Sequence, residues 1–524
     1  MKQPRFLSTL SFHSILIASL AILFSFTSFG AQAFCGFFAG KADASLFNEA
    51  SQVILVRDGK HSVISMLNDF KGSLNDFALV VPVPQVLEKG QVRIGDKRLF
   101  DRLDAYSAPR MAEYYDPDPC PVGQRYAAMR EMDAMKSAAP ASIGQAKKKN
   151  DRALGVTVEA SYTVGEYDIV MLSAKQSNGL ETWLYENGYK MPKGAAAALK
   201  PYVAQDMKFF VAKVNLKEQA GTGVQYLRPL QFAFDSEKFM LPIRLGMINA
   251  DPKKPQDLIA YVLTRNGRVE SANYRTVKLP ANENFPPAIK KDFNTFYKAM
   301  FDYQAKQEEH RVVFTEYFWD MGWCDPCADE PLNRKELNQA GVFWLDGDDG
   351  SGTQNALLTR LHVRYTPRTF PEDLMFVQTA DRQNWQTRYV VQNPYEGSIQ
   401  QCREKAAAYN CEDSCQSTGG GRWQDFTERQ NYVGSCIQSC KASNSSAIEQ
   451  ARRYYEIDLP QRRQNELKTL TRYTGWSTSE AQRFIGDKYS VYETPNNNNQ
   501  PNSQPQNRWW ERLFNKAPKG AKKL

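Results

Sequence analysis

Short stretches of alternating hydrophobic and polar positions fill the first three quarters of this chain, and helical spacing takes over only near its end. Gln52-Val53-Ile54-Leu55-Val56 and Ser62 to Leu67 read as strands, with Asp58-Gly59 between them as a strong hairpin turn signal. Phe77-Ala78-Leu79-Val80-Val81 reads as a third strand and runs into Pro82-Val83-Pro84. Proline donates no ladder hydrogen bond, so these two residues end the strand or hold it at a sheet edge. Three short consecutive strands predict an antiparallel meander.

The pattern resumes past residue 154. Val156 to Tyr162, Tyr167 to Ser173, Phe209 to Val214, Leu230 to Phe234, Met240 to Ile248 and Leu258 to Thr264 read as strands, while Leu180 to Asn187 and Ala195 to Tyr202 read as short helices. Beyond Glu396 the chain is polar and helical. Pro460 suits a first helical turn, and Ser477 with Glu480 forms a capping box. The fold class this predicts is α+β, with two mainly antiparallel sheet-rich regions followed by a helical, disulfide-stapled C-terminal part. The boundaries are a leader at 1–33, an N-terminal sheet domain at 34–134 and an Ala/Ser/Pro/Lys linker at 135–153. An α+β domain at 154–396 and a helical region at 397–493 follow. A disordered Asn/Gln/Pro linker at 494–507 and a basic amphipathic tail at 508–524 complete the chain.

The leader changes the picture of location. Lys2 and Arg5 precede an apolar run from Ile15 to Phe26, and Ala31-Gln32-Ala33 has the small-x-small form that a signal peptidase reads. The run is shorter than the roughly twenty residues of a comfortable membrane span. Cleavage near Ala33 and a periplasmic or secreted protein are therefore expected. Removing 33 of 524 residues leaves 491, and the formal charge falls from +8 to +6 because the leader carries two cations. So small an excess does not point to nucleic acid, which needs a concentrated basic face.

Nine cysteines follow the leader, at 35, 120, 324, 327, 402, 411, 415, 436 and 440. An oxidising compartment makes disulfides the default, and an odd count leaves one thiol over. Cys411 with Cys415, and Cys436 with Cys440, each fall on one helix face, with Gly419-Gly420-Gly421 between the pairs. Antiparallel helices stapled by Cys411–Cys440 and Cys415–Cys436 follow, an arrangement that resembles the twin Cys-x3-Cys helical hairpin. A zinc site would need reduced thiolates instead. Cys35 and Cys120 flank the first domain and are read as a pair, which leaves Cys402 as the odd thiol.

Trp323-Cys324-Asp325-Pro326-Cys327 carries the sharpest chemistry. In a Cys-x-x-Cys, the first thiolate attacks a disulfide and the second resolves the mixed intermediate. The segment looks like a thioredoxin active site, with Thr366-Pro367 at about the distance of that fold's cis-proline. Against this, Asp329, Glu330 and Pro331 interrupt the helix start, and acids raise a neighbouring thiol's pKa. A structural disulfide in a Trp-lined turn is the plainer reading. Asp346-Gly347-Asp348-Asp349-Gly350 reads as a solvated turn rather than a calcium loop, since Leu357 stands where the closing glutamate belongs. His13, His61, His310 and His362 show no metal-binding spacing, and no cofactor or metal is expected.

Phe77-Ala78-Leu79-Val80-Val81-Pro82-Val83-Pro84, Leu103-Asp104-Ala105-Tyr106-Ser107-Ala108-Pro109-Arg110, Ala174-Lys175-Gln176-Ser177 and the Cys-x-x-Cys segment together resemble an exported bacterial family, domain of unknown function 2330. The resemblance covers roughly residues 35 to 400 and the helix near Gly475-Trp476. It implies export and an N-terminal sheet domain, and carries no activity.

Trp509, Trp510, Leu513 and Phe514 share one face of a short helix flanked by Arg508, Arg512 and Lys516, which suits weak contact with an anionic membrane surface. The function expected is a non-enzymatic envelope protein that binds a protein partner or a surface component. A thiol–disulfide oxidoreductase using Cys324 and Cys327 is the alternative.

Overall fold

The computed structural model describes residues 37–40, 47–71, 77–122, 156–189, 194–222, 227–249, 255–325, 328–345, 355–417 and 425–486. Two sheets packed face to face form the centre. Among the described residues the larger has nine strands. Eight follow the order Arg275–Lys278, Val312–Asp320, Leu357–Tyr365, Gln256–Thr264, Phe47–Asp58, His61–Lys71, Leu230–Asp235, Val92–Ile94, and Trp385–Gln386 pairs beside Val312–Asp320. Gln256–Thr264 runs parallel to Phe47–Asp58, and Arg275–Lys278 parallel to Val312–Asp320; the other pairings are antiparallel. The smaller sheet runs Phe37–Gly40, Phe77–Val83, Lys208–Val214, Tyr167–Ala174, Val156–Val164, antiparallel throughout.

Val53, Leu55, Ile64 and Met66 of the large sheet meet Leu79, Val81, Ile169, Met171 and Phe210 of the small one. Each such side chain, fully buried, stabilises by about 1.5–3 kcal/mol. The small sheet turns Ala78, Val80, Leu172 and Phe209 outward onto the helices Ser177–Glu186 and Ala195–Ala204. The large sheet is covered on its outer face by the helices Lys97–Ser107 and Arg334–Ala340 over one half, and by Phe293–Gln307 over the other. Alternate residues of one strand thus serve two cores: Leu258, Ala260 and Val262 face the sandwich, while Ile259, Tyr261 and Leu263 face helices. This explains why Gln256–Thr264 is an unbroken buried run rather than a half-exposed alternation.

The hairpin forms as the sequence indicates, with Asp58 opposite His61 and Gly59 at φ 55° in the two-residue turn, a conformation glycine adopts without a Cβ clash. The third strand does not complete a meander. It leaves for the small sheet, between Phe37–Gly40 and Lys208–Val214. The ladder with Phe37–Gly40 ends at Val80, so Pro82 sits where, among the described residues, a neighbour remains only on the Phe209 side. The proline is tolerated at that local edge. The segments expected as separate units, 34–134 and 154–396, share both sheets through these pairings and through Leu230–Asp235 on His61–Lys71. Met240 to Ile248 is not one strand: pairing stops at Leu241, and Gly246–Asn249 is a helical turn.

Helices Ile399–Ala408, Cys411–Ser417, Phe426–Arg453, Leu459–Thr474 and Thr478–Ile485 form the C-terminal part. Pro460 lies in the first turn of the fourth, and Ser477 and Glu480 make the reciprocal cap of the fifth. Gly475 ends the fourth in the left-handed region at φ 69°, where a Cβ would collide with the Tyr303 ring. The absent side chain lets this helix end press on Phe293–Gln307. Among the described residues no helix is long and apolar enough to cross a membrane.

Candidate functional site

Strand Val312–Asp320 delivers the chain into the Trp-Cys-Asp turn. Asp325 is buried there, and its Oδ2 accepts hydrogen bonds from Tyr317 (2.9 Å) and Gln386 Nε2 (2.7 Å). That anchor leaves Trp323 and Cys324 facing solvent: Trp323 is 70% exposed, and Cys324 is an exposed free thiol. Cys327 lies outside the described residues. Two features expected of a thioredoxin-like site are not brought together. Asp320 pairs with Leu357 and Val313 with Val363, so Thr366-Pro367 emerges at the opposite end of the strand pair from Cys324. Among the described residues the next helix begins at Arg334, capped by Asn333 and Glu336, so no helix N-terminus is seen at the cysteine turn. Of the acids beyond the turn, Asp329 is paired to Arg102 at 3.1 Å.

The bridges Cys411–Cys440 and Cys415–Cys436 join Cys411–Ser417 to Phe426–Arg453 in antiparallel order. Cys402 is not the odd thiol, and Cys120 is not held for Cys35. Cys120 and Cys402 form a disulfide 282 residues apart in sequence. Folding places the segment carrying Asp116 to Val122 against Ile399–Ala408, where Lys405 binds Asp118 at 2.7 Å and Cys120, Val122, Cys402, Ala447 and Ala451 share a small core. Cys35, the leader at 1–33 and the tail residues Trp509, Trp510, Leu513 and Phe514 lie outside the described residues, as does the Asp346 loop.

A buried ionic chain crosses the outer face of the large sheet, and sequence reading missed it. Arg360 is 1% exposed; it donates to Glu316 Oε2 at 2.6 Å and Asp104 Oδ1 at 2.7 Å. His362 sets Nδ1 2.7 Å from Glu316 and Nε2 3.3 Å from Asp257. Arg364 continues the chain to Asp257 and Asp302. Phe301 stacks on His362 with centroids 3.8 Å apart. Both imidazole nitrogens face carboxylates, so both carry protons. Burial works against that charge, but Glu316 and Asp257 hold the His362 pKa above its ordinary value. Burial likewise works against ionised Glu316, and the charges of His362 and Arg360 nevertheless bring its carboxyl down to about 2. Among the described residues no cluster of histidine, cysteine and acid is placed to hold a metal ion.

The sandwich is left open at one end. Leu55, Ile64, Met66, Val81, Val83, Phe232 and Leu241 wall a cavity of about 330 Å³ there, with Pro82 and Pro84 beside them. Ser62, Gln205, Asp235, Ser236, Glu237 and Lys238 make its polar rim. The Val-Val-Pro-Val-Pro stretch therefore supplies both the local edge of the small sheet and one wall of this cavity.

A family model described as an uncharacterized protein conserved in bacteria (DUF2330) matches residues 29–377. The chain belongs to this family. Every wall and rim residue of the cavity falls within the DUF2330 span, as do Cys324 and the whole ionic chain. The match ends at 377, short of the expected 400 and of Gly475-Trp476, so the stapled helices lie beyond it. The Cys120–Cys402 bridge fastens that added part to the DUF2330 portion. No curated protein and no solved structure matches the chain.

Proposed function

We propose that this protein works outside the cytoplasm, periplasmic or secreted, as a non-enzymatic binding protein whose site is the cavity at the open end of its sandwich. The location rests on the leader-like N-terminus and on the three disulfides among the described residues, bonds that persist where the compartment is oxidising. One observation carries the binding role: a preformed space of about 330 Å³, apolar inside and polar at its rim. Binding cavities run from roughly 300 to 1,000 Å³ and combine apolar walls with a few placed polar groups. Such walls hold a ligand by shape and by removing it from water.

Protein recovered from the periplasm or medium should begin at Phe34. In native mass spectrometry it should carry a noncovalent adduct of constant mass. Met240→Trp, which puts an indole at the rim, should arrive without the adduct. A leader retained in the recovered protein would overturn the location, and equal adducts on both forms would overturn the site.

A second reading is favoured by the exposed Cys324 thiol alone: a thiol–disulfide oxidoreductase with Cys327 as resolving partner. Under the binding proposal, wild type and Cys324→Ser reduce a model disulfide at the same background rate. Turnover at least tenfold above background that Cys324→Ser abolishes would establish the enzyme instead.

A further inference from the structure

Two arginines are more than nine-tenths buried among the described residues, and they differ in their partners. Arg360 is ion-paired on both sides, to Asp104 and Glu316. Arg57, 7% exposed, donates to Ser62 Oγ at 2.7 Å and to the carbonyls of Lys60 at 3.2 Å and Glu237 at 3.5 Å, and lies 5.3 Å from the Phe239 ring centroid. None of these partners is a carboxylate. The acids whose fields reach it, Glu237 and Asp235, do not come within ion-pair distance, and Asp235 is held by His61 and Lys60. A buried cation without a counter-ion is costly unless something supplies the opposite charge.

Three of the four partners of Arg57, namely Ser62, Glu237 and Phe239, line the cavity. Ser62 Oγ accepts from Arg57, and its own hydroxyl proton has no acceptor among the described residues. A hydroxyl both accepts and donates, so Ser62 is left with a donor for a group inside the cavity. Lys238 stands on the same rim, its Nζ donating to Gln205 Oε1 at 2.6 Å. That bond ties the loop after Leu230–Asp235 to the end of helix Ala195–Ala204, across the open end of the sandwich. Of the charged side chains lining this end, Asp235 is already paired with Lys60 and His61, Glu237 and Lys238 carry opposite charges, and Arg57 lies behind Ser62.

We infer that the cavity takes a small amphiphile with a single anionic head, such as a medium-chain carboxylate, the chain lying between the two sheets and the carboxylate at Ser62 with Arg57 behind it. This rests on the binding reading given above and adds the ligand's chemical class. At roughly 30 Å³ for each water-sized group, the space holds on the order of ten heavy atoms. Octanoate has that size. The carboxylate supplies the charge Arg57 lacks, and the chain replaces water on Ile64, Met66, Val83 and Phe232.

Calorimetric titration of the disulfide-intact protein with octanoate, octan-1-ol and octyltrimethylammonium separates the contributions of chain and head. Octanoate should bind one per chain and at least about tenfold tighter than the alcohol, in line with a hydrogen-bonded charge. The cation should be weakest. Arg57→Gln should reduce octanoate to the alcohol's affinity and leave the alcohol unchanged. Lys238→Gln, at an exposed position, should weaken octanoate in the same sense and serves if the buried substitution fails to fold. Met240→Trp should abolish binding of both. Equal binding of octanoate and octan-1-ol by wild type, or tighter binding of the cation, would overturn the anionic head while leaving a binding cavity. Octanoate binding that survives Met240→Trp would overturn the site. No binding of any of the three would overturn both readings.

Discussion

Arg360→Met is expected to cost about 3–5 kcal/mol of folding stability, among the largest effects of any single substitution in this protein. The guanidinium is the counter-charge for two carboxylates, Asp104 and Glu316, that water does not reach. Removing it leaves Asp104, among the described residues, without a paired cation and Glu316 with His362 as its remaining one. Adding Asp104→Asn to Arg360→Met should recover part of the loss, because the stranded charge is gone. Urea unfolding with the disulfides intact measures this. A loss below about 1 kcal/mol would show that the ionic chain is far more hydrated than its burial implies.

The same chain sets a pH window. Glu316 has its folded pKa lowered to about 2 from an ordinary 4.5, so its contribution is full above 4.5 and is lost as pH falls toward 2. His362 has its folded pKa raised above an ordinary 6.5, so its contribution is full below 6.5 and is lost as pH rises through the folded value. The stability that Glu316 and His362 contribute should therefore peak between about pH 4.5 and 6.5. His362→Gln should remove the alkaline limb of the profile and weaken the acid limb, because His362 is one of the two charges that lower the Glu316 carboxyl. A wild-type unfolding midpoint that climbs steadily from pH 6 to 9 would contradict a charged His362.

Replacing Cys120 and Cys402 together by serine should cost up to about 5 kcal/mol, since the bridge closes a loop spanning 282 residues and loop entropy grows with length. The effect should be uneven. Asp116 still holds Arg462 at 2.7 Å and Tyr454, and Leu470 and Ala481 still pack with Phe296 and Met300, so the last helices stay attached. Ile399–Ala408 should lose most of its amide protection, because Cys402 is its buried contact with the Cys120 segment. Hydrogen exchange of the double variant should show faster exchange over 399–453 and little change in Gln256–Thr264. Peptide mapping of the native protein should recover the Cys120 and Cys402 peptides joined. Finding Cys120 joined to Cys35 instead would reinstate the pairing that chain position alone suggested.

What the sequence by itself determined was everything encoded within a few residues. The Asp58-Gly59 turn, the helix starts at Pro460 and at Ser477 with Glu480, and the shared helix faces of Cys411 with Cys415 and Cys436 with Cys440 all depend on spacings of five residues or fewer. Short-range sterics and hydrogen bonding decide such features wherever the segment lies. The tertiary structure decided the partners of distant segments. Phe77–Val83 reads as the third strand of a meander, yet it joins the other sheet, where its proline meets a local edge. Cys120 found Cys402 and not Cys35, because the fold lays the Asp116 segment on Ile399–Ala408. Thr366-Pro367 fell at the wrong strand end, because antiparallel register runs Leu357–Tyr365 away from the cysteine turn.

Arg360, His362 and Arg364 show the limit most clearly. Polar residues at every second position of a strand read as its wet face. Here that face is roofed by Lys97–Ser107 and Phe293–Gln307, which bring Asp104 and Asp302 to meet the cations. Alternation reports which residues share a face. Whether that face meets water or a compensating charge depends on helices up to 256 residues away in sequence, and no local pattern records it.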